Sequence, residues 1–293
     1  MKKKYTFAIL ALVFLGMLTA SILYLIYGDI AVLNSKGIIA HQERDLMILS
    51  TALMLIVVIP VFILGILFVW KYRSQNKKGK YDAEWDRSTV AEAIWWGIPF
   101  LIVSVLAVII WKSSHSLDPY KPLGEGQPLK IQVVALQWKW LFIYPEQKIA
   151  TVNVVQFPEK TPIHFELTSD APMNSFWIPQ LSGQIFAMSG MTTQLHLMAD
   201  GIGDYRGSSA NISGTGFAGM TFTAESRSQS DFDHWVDKAR QSSKSLYLES
   251  YKQLAKPSEN DPISFYKLTD DELFHWIVMK YMMPCEVDSC SEN

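Results

Sequence analysis

Leu46 to Trp70 is a run of 25 residues without a charge. At ~1.5 Å of rise per residue, a helix of that length crosses the ~30 Å hydrocarbon layer of a bilayer. Pro60 lies inside the run, which a membrane helix tolerates when neighbouring helices satisfy the freed carbonyl. A further span follows from Ala93 to Trp111, 19 uncharged residues bounded by Glu92 and Lys112. Trp70, Trp95, Trp96 and Trp111 stand near the run ends, where indole rings favour the headgroup layer. An earlier uncharged stretch, Tyr5 to Gly28, is preceded by Lys2, Lys3 and Lys4. Its length favours a retained signal-anchor helix, although Leu18-Thr19-Ala20-Ser21 offers small residues where a signal peptide would be cut. Residues 1–28 are thus a signal peptide or a retained helix. Residues 29–112 form a transmembrane hairpin with spans at about 46–70 and 93–111.

The loop of the hairpin, 71–92, carries Lys71, Arg73, Lys77, Lys78, Lys80 and Arg87. An excess of Lys and Arg marks the cytoplasmic side. The chain after Lys112 therefore lies on the opposite face, in the periplasm or outside.

Beyond a short linker with Pro119, Pro122 and Gly124, the apolar pattern shortens. Stretches 129–134, 149–155, 163–167, 193–197 and 220–224 read as strands, separated by Pro and Gly. Such spacing predicts an all-β sandwich or Greek-key barrel over 113–228. From Asp231 the period changes: Phe232, Trp235, Val236 and Ala239, then Leu273, Trp276 and Ile277, recur at helical spacing. Residues 229–293 are read as a helical appendage with a short acidic tail. The chain has two cysteines, Cys285 and Cys290, both in that tail, so no disulfide framework staples the main domain. A formal net charge of −2 gives no reason to expect nucleic acid as a partner.

A tethered β-sandwich outside a membrane suits a copper electron carrier, but copper centres of that kind need a thiolate and imidazoles. The β domain contains no cysteine, and the two histidines of its strand stretches, His164 and His196, lie in alternating patterns. They read as surface or core residues, not ligands.

Two stretches carry a family resemblance. Met173-Asn174-Ser175-Phe176-Trp177-Ile178-Pro179 and Gly203-Asp204-Tyr205-Arg206-Gly207-Ser208-Ser209-Ala210-Asn211-Ile212-Ser213-Gly214 resemble the copper-binding region of subunit II of haem–copper oxidases. In the cytochrome c branch of that family the ligands are a histidine, two cysteines enclosing a glutamate, a second histidine and a methionine. The resemblance places Asn174, Ser209, Asn211, Ser213 and Phe217 where the first five stand, and Met220 at the methionine. This degenerate set resembles the quinol oxidase branch, the cytochrome bo type. Gln137-Trp138-Lys139-Trp140, Tyr144-Pro145-Glu146-Gln147 and Ala187-Met188-Ser189-Gly190-Met191 extend the likeness over nearly the whole chain. The aromatic-rich C-terminal region belongs to it too. Ser21 stands where family members of several bacteria carry a lipid-modified cysteine.

The resemblance implies a membrane-anchored, cupredoxin-like fold with two or three transmembrane helices. It also implies a multi-pass location in the bacterial inner membrane and a role as subunit II of a proton-pumping quinol:oxygen oxidoreductase. Haems and copper are then expected in subunit I and none in this chain. Quinol is the substrate of the complex, and the partners are subunit I, the other oxidase subunits and membrane lipid, without cytochrome c. Glu92, at the cytoplasmic start of the last span, matches a subunit II glutamate at the mouth of a proton pathway in this superfamily. A plain alternative is a helix-start carboxylate facing the helix dipole. Trp138 and Trp140 read as buried packing, and Met173, Met188, Met191 and Met220 as adaptable packing. Cys285 and Cys290 are placed to close a local disulfide. No catalytic residue is assigned. A copper-bearing subunit II fails on the replaced ligands, and a free-standing membrane scaffold remains the other class.

Overall fold

A computed structural model describes residues 2–73, 76, 87–124 and 126–282. Three long helices come first: α1 (Lys2–Tyr27), α2 (Ile38–Lys71) and α3 (Thr89–Ser116). Two of them, α2 and α3, are long and apolar enough to cross a membrane. They pack against each other and present apolar side chains outward along most of their length, which suits lipid or a protein partner. Pro60 is accommodated inside α2 and Pro99 inside α3. Ser88 caps α3, its Oγ accepting from the Ala91 N–H at 3.4 Å. At 34 residues, α2 is about 50 Å long, so its first turns project beyond a bilayer and reach the β domain.

The next region is a two-sheet sandwich. One sheet uses β1 (Leu129–Leu136), β2 (Lys139–Tyr144), β3 (Ile149–Val152), β5 (Ile163–Ser169) and β8 (Thr193–Leu197). The other uses β4 (Val154–Pro158), β6 (Asn174–Trp177), β7 (Ile185–Ala187), β9 (Gly203–Ser209) and β10 (Thr221–Arg227). Asn153, at φ 58, breaks the run 149–155 into β3 and β4 and sends the chain from one sheet to the other. Between the sheets Trp140, Phe142, Phe165, Phe176 and Phe222 interlock, with Phe176 stacked on Phe222 at 5.0 Å and Trp140 edge-on to Phe176 at 5.3 Å. Such pairs add about 0.5–1.5 kcal/mol each beyond the area they bury.

The C-terminal region is helical only in part. Helices α4 (Gln229–Arg240), α5 (Leu248–Leu254) and α6 (Leu273–Met279) alternate with β11 (Ser245–Leu246) and β12 (Ser264–Leu268). β12 pairs antiparallel with β3, and β11 pairs parallel with β12, giving the sheet order β11-β12-β3-β2-β1-β5-β8. Phe232, Val236 and Ala239 of α4 join the main core. Leu246, Tyr251, Leu268, Leu273, Phe274 and Ile277 form a second core against Val134, Leu136, Leu141 and Ile143. The central strands are therefore buried on both faces. That is why β2 carries the unbroken apolar run Trp140-Leu141-Phe142-Ile143-Tyr144, which shows no alternation.

The segment leading into α2 is stitched to the sandwich. Gly37 bridges Ala199, Lys36 N–H donates to the Gln180 carbonyl at 2.7 Å, and Asp200 N–H to the Lys36 carbonyl at 2.9 Å. A Cβ on Gly37 would meet the Leu181 carbonyl oxygen at 2.6 Å, so the close approach needs glycine. His41 ties the two parts further, with Ser35 Oγ 2.7 Å from its Nδ1 and Asp200 Oδ2 2.7 Å from its Nε2.

Candidate functional site

The end of the sandwich formed by β6, the loop after β9 and the turn Thr215–Gly219 gathers the six positions matched to copper ligands. Asn174 opens β6 and Ser209 closes β9; both are buried, and Phe176 pairs with Ser209 in register. Ser209 Oγ donates to Asn174 Oδ1 at 2.9 Å and accepts from the Asn211 N–H at 3.4 Å. Asn174 Nδ2 donates to the Pro172 carbonyl at 2.7 Å. Met220 is buried, its carbonyl accepting from the Ser209 N–H at 3.2 Å and its N–H donating to Phe217 at 3.0 Å. Ser213 enters through its carbonyl, which accepts from the Trp138 indole N–H at 3.2 Å. Its Oγ is buried without a hydrogen-bond partner among the described residues. These donors do not fit copper: amides and hydroxyls replace the thiolates and imidazoles such an ion requires, and the pair Asn174–Ser209 consumes its own polar groups.

Trp138 sits in the left-handed region, at φ 67, in the two-residue connection between β1 and β2. Its ring lies against Gly214 and Gly216, where an added Cβ would meet it at 3.2 and 2.4 Å. The indole thus packs over the loop 209–217. Trp140 is fully buried in the core. Both act as packing, as their sequence context indicates.

His164 and His196 pair across β5 and β8, their rings stacked at 4.5 Å. His196 Nδ1 donates to the Pro119 carbonyl at 3.0 Å, tying the domain to the linker after α3. Burial, with the neighbouring His196 adding to it, holds the His164 pKa below its ordinary value.

One group escapes sequence reading altogether. The Asp170 carboxylate, nearly inaccessible, accepts from Tyr251 Oη at 2.6 Å, Lys280 Nζ at 2.7 Å and Tyr281 Oη. It clasps the C-terminal region to the rim of the site, since the adjoining Ala171 carbonyl accepts from Ser169 Oγ and Ser189 Oγ. Burial first, then the charge of Asp170 and the hydrogen bond to it, drives both tyrosines well above the ordinary phenol pKa. The partners lie 81 to 111 residues away, so no local spacing signals them.

Glu92 lies in the first turn of α3, half-exposed, 3.8 Å from Arg87 Nε. It is a whole helix of 28 residues away from the linker that leads to the sandwich, so the structure does not bring it near the other candidates. Cys285, Cys290, Lys77, Lys78 and Lys80 lie outside the described residues.

Residues 240–285 match the COX Aromatic Rich Motif family. The chain is 50% identical over 281 residues to the cytochrome bo(3) ubiquinol oxidase subunit 2 of Pseudomonas putida, covering 96% of this chain and 88% of that protein. It is 47% identical to ubiquinol oxidase subunit 2 of Acetobacter aceti (91% and 87% covered) and 37% identical to quinol oxidase subunit 2 of Bacillus cereus (83% and 85% covered). The solved periplasmic domain of subunit II of cytochrome oxidase of Bradyrhizobium japonicum aligns with a TM-score of 0.38 at 19% identity, over 40% of this chain and 96% of that domain. With half of its residues identical over nearly its whole length, the chain belongs to the family of quinol oxidase subunit 2, the cytochrome bo(3) type.

Proposed function

We propose that this protein is the non-redox subunit II of a proton-pumping quinol:oxygen oxidoreductase of the bacterial inner membrane. In this reading the hairpin α2–α3 spans the bilayer, the basic loop 71–92 faces the cytoplasm, and the sandwich stands outside. The observation that carries the reading is the hydrogen-bonded pair Asn174–Ser209 at 2.9 Å, where copper-bearing relatives would hold imidazole and thiolate. Quinol is oxidised inside the membrane, so electrons need not cross the external domain, and loss of its copper site leaves the oxidase intact. The chain would dock on subunit I, which is expected to hold the haems and the copper, and support it there. Glu92 is assigned to proton uptake at the cytoplasmic face, where an ionisable residue at a span's edge suits such a role.

The experiment is purification of the complex in mild detergent through a tag on this chain, with haem spectrum, metal analysis and an oxygen electrode. Haem and copper should co-purify with quinol-driven oxygen consumption that reduced cytochrome c does not support. A chain that purifies alone, without haem or activity, would replace this reading with that of a membrane scaffold.

A further inference from the structure

Where the membrane hairpin meets the sandwich, a cavity of about 90 Å³ is enclosed by Ile39 and Glu43 of α2, Ser116 at the end of α3, the linker 117–123, and Ser182–Gln184 and His196 of the domain. That space has room for a few water molecules, and hydroxyls, carbonyls and charged groups line it, as buried water requires. Glu43 is half-buried, its carboxylate lying against Gly183. The basic side chains beside it on its own helix are engaged elsewhere: Arg44 bonds Asp45 at 2.8 Å and His41 faces Asp200 at 2.7 Å. Among the described residues Glu43 forms no ion pair. The other titratable groups facing the chamber are Asp118 and Lys121 from the linker and His196 from β8.

A half-buried carboxylate that a Gly183 backbone hydrogen bond holds, that no cation neutralises among the described residues and that faces a water-sized chamber has the ingredients of a proton-holding group. A structural carboxylate at this depth would be expected to hold a cation, because an unpaired charge gains little from burial. The chamber also lies where the first turns of α2 and the end of α3 meet the sandwich. It is framed by the stitching of Gly37, Ser35 and His41 to the sandwich, so its walls are fixed.

We propose that Glu43 takes up protons released on the external side by quinol oxidation and passes them to the outside medium through the chamber water. This rests on the orientation and oxidase activity proposed above. Each quinol oxidised to quinone gives two electrons, which leave for oxygen, and two protons. Glu43 accepts one proton at a time as a carboxylic acid and returns it to external water, ending each passage as the carboxylate.

The test uses the intact oxidase complex in phospholipid vesicles, sandwich outward, with internal pH fixed. Quinol-driven oxygen consumption is followed against external pH, and the carboxylic-acid C=O band is followed by infrared difference spectroscopy during turnover. Glu43→Gln should lower turnover, lose the dependence on external pH and lose one carboxylic-acid band. Glu43→Asp should restore most of all three. Gly183→Ala, whose Cβ would stand 2.5 Å from Glu43 Oε1 and so displace the carboxylate, should reproduce the pH effect in part while the complex still assembles. A fully assembled Glu43→Gln complex with the wild-type pH profile and an unchanged band overturns the role of Glu43 and leaves the oxidase reading standing. A wild-type complex that contains no haem and consumes no oxygen with quinol overturns both.

Discussion

Single residues carry the joints of this molecule. Gly37 is required where the chain passes under Leu181. Gly37→Ala should force the stitched segment away from the sandwich and cost about 1–3 kcal/mol, as overpacking does. The expected sign is a lower melting temperature and faster proteolysis between α1 and α2; an unchanged melting temperature would mean that the bridge to Ala199 is dispensable. Asp170 clasps two tyrosines and a lysine from the C-terminal region. Asp170→Asn keeps the shape but removes the charge on which those bonds depend, at about 1.5–3 kcal/mol. The loss should appear as a lower denaturant midpoint and earlier cleavage after α6.

His164 sets a pH response. Its folded pKa lies below the ordinary 6.5 because burial, and then His196, oppose its charge. The unfolded chain therefore binds the proton more tightly, and the stability present above about pH 6.5 is lost as pH falls through the folded value. His164→Asn should flatten the dependence of melting temperature on pH between neutral and mildly acid solution, and a wild-type curve that is already flat would remove the argument.

At the scale of elements, the spans and five strand regions follow from patterns that a few neighbouring residues generate. Leu46–Trp70 needs no partner to be read as a span, since the bilayer itself sets the requirement. Strands β5, β8 and β10 alternate because one face meets the core and the other meets water or a looser layer. β2 does not alternate, because α5 and α6 cover the face that would otherwise be wet. β9 is hidden by its glycine and serines, and Gly207 is there because the Phe222 ring lies 2.0 Å from where a Cβ would stand. β12 is absent from the sequence pattern because its pairing partner, β3, lies more than 100 residues earlier. Helix α3 holds Glu92 in its first turn. Glu92→Gln should slow oxidase turnover at saturating quinol while the complex assembles normally; unchanged turnover would return this residue to the role of a carboxylate facing the helix dipole.

For the whole molecule, the cluster around Ser209 is the informative feature. The fold there brings Asn174, Asn211 and Met220 each within hydrogen-bond reach of Ser209. Restoring the ligand types together, as Asn174→His, Ser209→Cys, Asn211→Glu, Ser213→Cys and Phe217→His, should yield a chain that binds copper with a strong thiolate absorbance. Metal analysis of the purified variant checks this, and copper no higher than in the wild type would show that the loop geometry has drifted beyond ligation.

What the sequence determined by itself was whatever depends on neighbours along the chain: the apolar spans, the strand periodicity and a β domain without cysteine. The tertiary structure alone decided that the C-terminal region extends the first sheet, that Asp170 holds Tyr251, Lys280 and Tyr281, and that Glu43 faces a water-sized chamber. Each of these joins groups separated by tens to hundreds of residues. Such contacts follow from which surfaces meet when both faces of the sheet are buried, and no local pattern records that choice.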